Sequence, residues 1–299
     1  GGYHGETVGA LSVTDIALFR EAYGPLVRLS AALPSPDARR AAPGEDATAF
    51  ARRCAAELEA YLEVHHDRTA ALILEPLVQC AAGFAMHDAE YLRRARALCD
   101  RYRVHLICDE IAVGFGRTGT LFAHQQAGIR PDFLCLSKGL TGGTLPLSVV
   151  LTTDAVYDAF YDDSMARGFL HSHSYTGNPL ACRAALVVLD LFEQGLDGVP
   201  VLERNRITAE RLSALCAPLD AHPRVRARRR LGMLWAWDLD DAGIEGFSGA
   251  YHLAARAEGL LLRPIGSTLY FMPPYVLDDE ALGQLAGGAL RALEAVVGR

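Results

Sequence analysis

The chain has 299 residues, 51% of them hydrophobic and 22% charged, the composition of a globular protein with apolar material for one large core and a smaller second one. A formal net charge of −7 argues against a protein that grips nucleic-acid phosphates, and no apolar stretch approaches the roughly 18 residues of a membrane-spanning helix. The seven cysteines show no C-x-x-C metal or redox spacing; with no signal-peptide pattern at the front, a reducing cytoplasm is expected.

The chain opens on Gly1-Gly2-Tyr3-His4-Gly5 rather than methionine, in what already reads as the middle of a domain. A Pro/Ala-rich loop occupies 31–46. Residues 70–76 (AALILEP) make a buried strand by length and apolar content, 90–103 an amphipathic helix and 104–111 a second strand. Further strands are expected at 132–138 and 147–153 (LSVVLTT). Cys108 and Cys135 sit inside these runs, where a thiol acts as a small hydrophobe. Near-continuous apolar strands separated by helices indicate an α/β fold, a mostly parallel sheet with helices on both faces. Ligands bind such sheets beyond the carboxyl ends of the strands, and Glu75, Asp109 and Lys138 all fall at or near those ends.

Helices are expected at 178–194 and 201–219. After about residue 220 the texture changes: 225–239 alternates like strands, 247–258 is helical, 260–273 holds two short strands and 278–297 a terminal helix. The chain thus divides into a sheet domain, 1–219, ending in a long linking helix, and a small α+β domain, 220–299. Five of the seven residues from Arg224 to Arg230 are arginine. They read as a solvated strand or turn, with a basic patch for an anionic partner as the alternative.

Asp109 and Lys138 carry the chemistry. A structural ion pair is one reading. The other is that Lys138, directly after a buried strand in the glycine-rich SKGLTGG, forms a Schiff base, while Asp109 faces a protonated pyridine nitrogen. Those two groups are the minimum equipment for pyridoxal-phosphate chemistry. Gly114, Gly116 and Gly119 spell G-x-G-x-x-G, but Thr118-Gly119-Thr120 promises a turn where a dinucleotide fingerprint needs a helix start; these glycines shape a loop. His65-His66 and His171-Ser172-His173 show no metal-ligand spacing, and no metal is expected. Ser172, Ser174 and Thr176 precede a helix opening at Asn178-Pro179, either as a phosphate-binding loop or as a capping segment.

Five segments, in order, resemble the class III (fold type I) pyridoxal-phosphate-dependent aminotransferases: YHGET from Tyr3, LILEPLVQ from Leu72, LICDEIAVGFGRTG from Leu106, LSKGLTGG from Leu136 and HSYTGNPLAC from His173. The resemblance implies that residues 1–219 bind pyridoxal 5'-phosphate, with Lys138 as the Schiff-base lysine and Asp109 as the pyridine-nitrogen partner. It places Tyr3 over the cofactor ring and in the donor pocket. Ser174, where the family usually has threonine, would reach the cofactor phosphate of the neighbouring subunit of a homodimer that shares its active sites. Arg263 would receive a substrate carboxylate and Tyr270 would line the same pocket. Glu75 and Gln79 would lie near the ring, and Glu6 holds a position that is often aspartate. DEIAVGFGRTG, LSKGLTGGTLPLSVVLTT and RPIGSTLYFMPPY further resemble members that move the amino group of S-adenosylmethionine to 8-amino-7-oxononanoate in biotin biosynthesis. The alternatives are a class III enzyme acting on an ω-amino acid or diamine, and an inactive truncated remnant. In the family an N-terminal part of the small domain, a phosphate loop and pocket aromatics would precede Gly1, so a partial sequence is expected.

Overall fold

Among the described residues nine strands form two main sheets and one short hairpin. The structure is a computed structural model and describes residues 1–298. In chain order the first strands are β1 (Ala71–Leu74), the short hairpin β2 (Val78–Gln79) and β3 (Ala85–Met86), then β4 (His105–Asp109), β5 (Phe133–Leu136) and β6 (Val149–Thr152). The main sheet has the order β1-β4-β5-β6. β1, β4 and β5 are parallel, with Asp109 opposite Cys135, and β6 returns antiparallel beside β5. The expected strand at 147–153 therefore forms but runs against its neighbour, because apolar content sets burial and not direction.

Parallel strands need a crossover, and the helix Ala89–Tyr102 lies on the path from β1 to β4. Asp88 caps its start by accepting from Glu90 N, and Arg103, in the left-handed region at φ 57°, ends it. Tyr91, Leu92, Ala95, Leu98 and Cys99 form its buried stripe, the spacing of an amphipathic helix. Tyr91 joins Phe50, Ala51, Cys54 and Ala55 of the helix Ala47–His65 in one apolar cluster. That helix, capped by Asp46, is a prominent element the sequence reading did not pick out.

By compactness Gly1–Phe115 and Phe122–Gln194 form one unit, while Gly116–Leu121 joins the chain from Gly195 onward in a second. The second unit contains the antiparallel sheet β7 (Val225–Leu231), β8 (Leu234–Leu239) and β9 (Thr268–Phe271). Its core gathers Trp235, Trp237, Tyr251, Leu269, Phe271 and Leu293. Ala209 and Leu212 of the helix Val201–Leu215 belong to the same cluster, so that helix shares its buried face with the second unit. It ends at Leu215, and a separate short helix, Ala217–Asp220, follows with Pro218 in its first turn; proline lacks the N–H that a continuous helix would use there.

Of the two strands expected within 260–273, only β9 forms. The stretch before it makes a single bridge, Ile265 to Thr268, because Pro264 has no ladder donor and Gly266 sits at φ 59°. The arginine run is strand β7, with Arg226, Arg228 and Arg230 exposed on alternate positions. Arg226 pairs with Asp240, Arg228 with Asp220 and Arg229 with Asp238. The run is thus largely neutralised within its own unit. Among the described residues no helix is long and apolar enough to cross a membrane, and no group of three or more His, Cys, Asp or Glu is placed to hold a metal ion.

Candidate active site

Asp109 is the last residue of β4 and lies opposite Cys135 of β5; Lys138 follows β5 by two residues. The two side chains therefore start from the carboxyl ends of adjacent parallel strands. Asp109 is 5% exposed. Its Oδ1 accepts from Ile111 N at 3.0 Å, and His4 Nδ1 lies 2.8 Å from its Oδ2. Lys138 is exposed and makes no ion pair or side-chain hydrogen bond with the described residues. It is also the single lysine among the chain's 29 basic residues, a signal that composition alone offers.

The turn that bears Lys138 is tightly specified. Lys138 takes φ 45°, a left-handed conformation that is costly for a residue with a Cβ. Ser137 Oγ donates to Leu147 O at 2.7 Å, Gly143 N to Lys138 O at 3.1 Å and Thr141 Oγ1 to Leu145 O at 2.6 Å. Gly139 meets Phe115 so closely that a Cβ would lie 2.9 Å from the Phe115 Cβ. The glycine is needed for that approach.

A second buried carboxylate completes the cluster. Glu75, just past β1, is 5% exposed; its Oε1 accepts from Tyr3 N at 3.0 Å and its Oε2 from Cys80 N at 3.2 Å. Burial pushes the Glu75 carboxyl up to about 7, against the pull of those donors and of His4. The opening segment is thus fastened at Tyr3 to Glu75 and at His4 to Asp109. Thr14 Oγ1 also accepts from His4 N at 3.1 Å. His4 was missed by the sequence reading, since nothing local shows that it meets a residue 105 positions away. The Tyr3 hydroxyl donates to Glu6 Oε1 at 3.0 Å, its ring tilts against Phe19, and burial and then Glu6 raise its pKa.

Glu110, beside Asp109, is fully buried and organises the next turn: its carboxylate accepts from Ala123 N, His124 N and the His124 ring. The glycine run is loop, with Phe115, Gly116 and Gly119 at positive φ, and no helix opens there. Ser174 is exposed in the turn before the helix Pro179–Gln194. Thr176 Oγ1 accepts from His173 N, and Asn178 Oδ1 caps the helix by accepting from Leu180 N at 2.9 Å. Gln79 accepts from Ser35 Oγ. Arg263 and Tyr270 belong to the second unit: Arg263 is exposed ahead of β9, and Tyr270 is half-buried within it, opposite Ala236. So the structure draws Tyr3, Glu75 and Asp109 into one cluster and sets Lys138 at the neighbouring strand end. None of the hydrogen bonds that hold that cluster involves Ser174. A cavity of about 550 Å³ runs along β1 and is lined by His4, Glu75 and Gln79; neither Asp109 nor Lys138 lines it.

Residues 1–293 match the aminotransferase class-III family. The chain is 40% identical over 297 residues to adenosylmethionine-8-amino-7-oxononanoate aminotransferase of Helicobacter pylori, covering 98% of this chain and 65% of that protein. The adenosylmethionine-8-amino-7-oxononanoate aminotransferase structure from Methanocaldococcus jannaschii superposes with a TM-score of 0.86 at 29% identity, over 99% of this chain and 66% of that one. An omega transaminase from Pseudomonas jessenii, in complex with PMP, gives 0.90 at 27% identity, over 99% and 67%. The chain therefore spans slightly under two thirds of the length of the curated relative. It belongs to the class III aminotransferases, and its α/β fold is that of these transaminases.

Proposed function

We propose that the protein binds pyridoxal 5'-phosphate and transfers the amino group of S-adenosylmethionine to 8-amino-7-oxononanoate, giving 7,8-diaminononanoate in a cytoplasmic biotin pathway. The observation that carries the reading is Lys138: the chain's single lysine, unpaired among the described residues, one strand away from the buried Asp109. These residues fit the cofactor. Asp109 has one hydrogen-bonded contact at each carboxylate oxygen, and each oxygen has a further lone pair, leaving room to accept from a protonated ring nitrogen. Lys138 supplies an amine that an aldehyde can capture, which an arginine cannot. When bound, the cofactor supplies an electron-accepting ring that makes a substrate C–H acidic.

Asp109 keeps the ring nitrogen protonated, and His4 fixes the Asp109 carboxylate by its contact at Oδ2. Lys138 would hold the cofactor through its Nζ and, as a free amine, would carry the proton on and off the reacting substrate carbon. Proton transfer by a positioned base contributes on the order of 10²–10⁴-fold. Tyr3, held at its backbone by Glu75, covers the ring. The exposed Ser174 hydroxyl serves the phosphate bound by a second copy. Arg263, with no ion pair among the described residues, takes a substrate carboxylate as a guanidinium fork suits, and Tyr270 lines that pocket. A homodimer is supported by the large apolar side chains exposed in the first unit, among them Tyr161, Met165, Phe169 and Leu170, a density that solvent-facing surfaces of monomers rarely show.

The substrate pair rests on the 40% identity to the Helicobacter relative. An amine or ω-amino acid donor is the competing reading, favoured by the higher structural similarity to the omega transaminase. Borohydride reduction of cofactor-treated protein, followed by peptide mass mapping, tests the chemistry. The label is expected on the Lys138 peptide, and a protein that takes up no reducible cofactor overturns the reading. Single-turnover amino transfer from S-adenosylmethionine, measured against a panel of ω-amino acids and diamines, separates the donors.

A further inference from the structure

We propose that the second unit holds a binding site for a small carboxylate that also carries a primary carboxamide. The site is a cavity of about 440 Å³ bounded by the helix Val201–Leu215, the Gly232-Met233 turn between β7 and β8, and Gly119. None of its residues takes part in the transamination reading, and the inference does not depend on it.

Asn205 lies on this cavity. It is 2% exposed, and neither its side-chain oxygen nor its nitrogen has a hydrogen-bond partner among the described residues. A buried amide left unpaired is destabilising, so both atoms call for a partner that the described residues do not provide. A primary carboxamide answers both needs at once, donating one bond and accepting one in a closed pair.

Arg230 lines the same cavity. Its neighbours Arg226, Arg228 and Arg229 each have an aspartate, whereas Arg230 has the Trp235 ring, 5.6 Å from the guanidinium carbon, and no ion pair among the described residues. An Arg fork without a carboxylate suits an acid. The two glutamates nearby do not compete for it: Arg206 binds Glu203 through Nη2 at 2.6 Å and Nε at 2.9 Å, and reaches Glu210 at 2.6 Å. Glu210 acts on Arg230 only through its field. Leu202, Ala209 and Met233 supply apolar wall for the methylenes between the two polar ends.

The wall does not yield easily. A Cβ on Gly232 would lie 2.4 Å from the Thr118 carbonyl carbon, and Met233 N donates to Arg117 O at 2.9 Å. A preformed cavity with fixed polar groups binds at little reorganisation cost.

The test titrates malonamate, succinamate and glutaramate into the cofactor-treated 299-residue chain while following the ¹⁵N-labelled Trp235 indole signal. Succinate and succinamide serve as carboxylate-only and amide-only controls. At least one of the three acids is expected to give a saturable shift, weakened about tenfold or more by Arg230→Gln and by Asn205→Leu, with each control binding more weakly. Melting temperature reports folding, and Asn205→Leu is expected to melt at or above the parent, since it removes an unpaired amide. Should that variant not fold, Arg230→Gln, altered at an exposed side chain, carries the comparison. The absence of a saturable shift with all three acids, or a shift undiminished in folded variants, overturns the proposal.

Discussion

Glu75→Gln is expected to remove a pH dependence of stability that the parent chain carries. Glu75 is almost fully buried, and burial holds its carboxyl near 7 instead of the ordinary 4.5, with the Tyr3 N–H and His4 pulling the other way and the Asp109 charge adding to the rise. At about 1.4 kcal/mol per pH unit, ionising Glu75 in the folded protein costs about 3 kcal/mol. The sign follows from the direction of the shift. The folded carboxyl holds its proton more tightly than the unfolded one, so this stability is fully present below about pH 4.5 and is lost as pH rises through about 7. Glutamine cannot ionise, but its amide NH2 cannot accept, whereas both oxygens of the carboxyl, protonated or not, keep acceptor capacity for Tyr3 N and Cys80 N. That mismatch costs roughly 1–3 kcal/mol. The variant should therefore be the less stable protein at pH 5 and draw level with or pass the parent by pH 8. Urea denaturation by circular dichroism at matched pH values measures the difference; tryptophan fluorescence is unsuitable, because Trp235 and Trp237 both lie in the other unit. A parent-minus-variant difference that stays flat or grows with pH refutes the reasoning.

Gly139→Ala places a Cβ 2.9 Å from the Phe115 Cβ and should destabilise by about 1–3 kcal/mol, with a loss of reducible cofactor at the adjacent Lys138 seen in the same preparation. Gly232→Ala combines φ 55° with a 2.4 Å approach to the Thr118 backbone. It should cost more than about 2 kcal/mol, read by the fluorescence of the two buried tryptophans. Asn178→Ala removes the cap from the helix Pro179–Gln194 and should cost about 1 kcal/mol in a denaturation curve.

The sheet that positions the site was legible because β1, β4 and β5 are short apolar runs closed by Glu75, Asp109 and Lys138, and polarity at the end of a buried run is visible in one dimension. The helix Ala47–His65 was less so. Its stripe of Phe50, Cys54, Leu58 and Leu62 is interrupted by Arg52, Arg53 and many alanines, yet the Asp46 cap and the spacing were there to be read. The direction of β6 leaves no mark in periodicity. Pro264 and Gly266 were the local signs against a strand before β9, and the apolar Leu260-Leu261-Leu262 outweighed them. The contacts Tyr3–Glu75 and His4–Asp109 span 72 and 105 positions. Motif resemblance named Tyr3 but gave no reason to single out His4, since no local pattern encodes a partner that only folding supplies.

Twenty-nine basic residues include one lysine, and that ratio bears on what position 138 requires. Arginine serves wherever a cation pairs, stacks or snorkels, as at Arg96 with Asp132 or Arg117 over Tyr275. A guanidinium remains protonated under all ordinary conditions and cannot attack a carbonyl, so a site that needs a deprotonatable amine is the one place arginine cannot fill. Lys138 also occupies a strained backbone conformation at φ 45°, worth of order 1 kcal/mol or more, that glycine would adopt freely. Charge and backbone preference alone would have put arginine or glycine there. Lys138→Arg separates the two explanations. It keeps the cation and the backbone constraint, and because the side chain is exposed it should change stability by no more than about 0.5 kcal/mol. It should also abolish the borohydride-fixed adduct, leaving no lysine amine in the chain to form one. An arginine variant that still carries the label within its position-138 peptide would show that the amino group of Lys138 is not the attachment point.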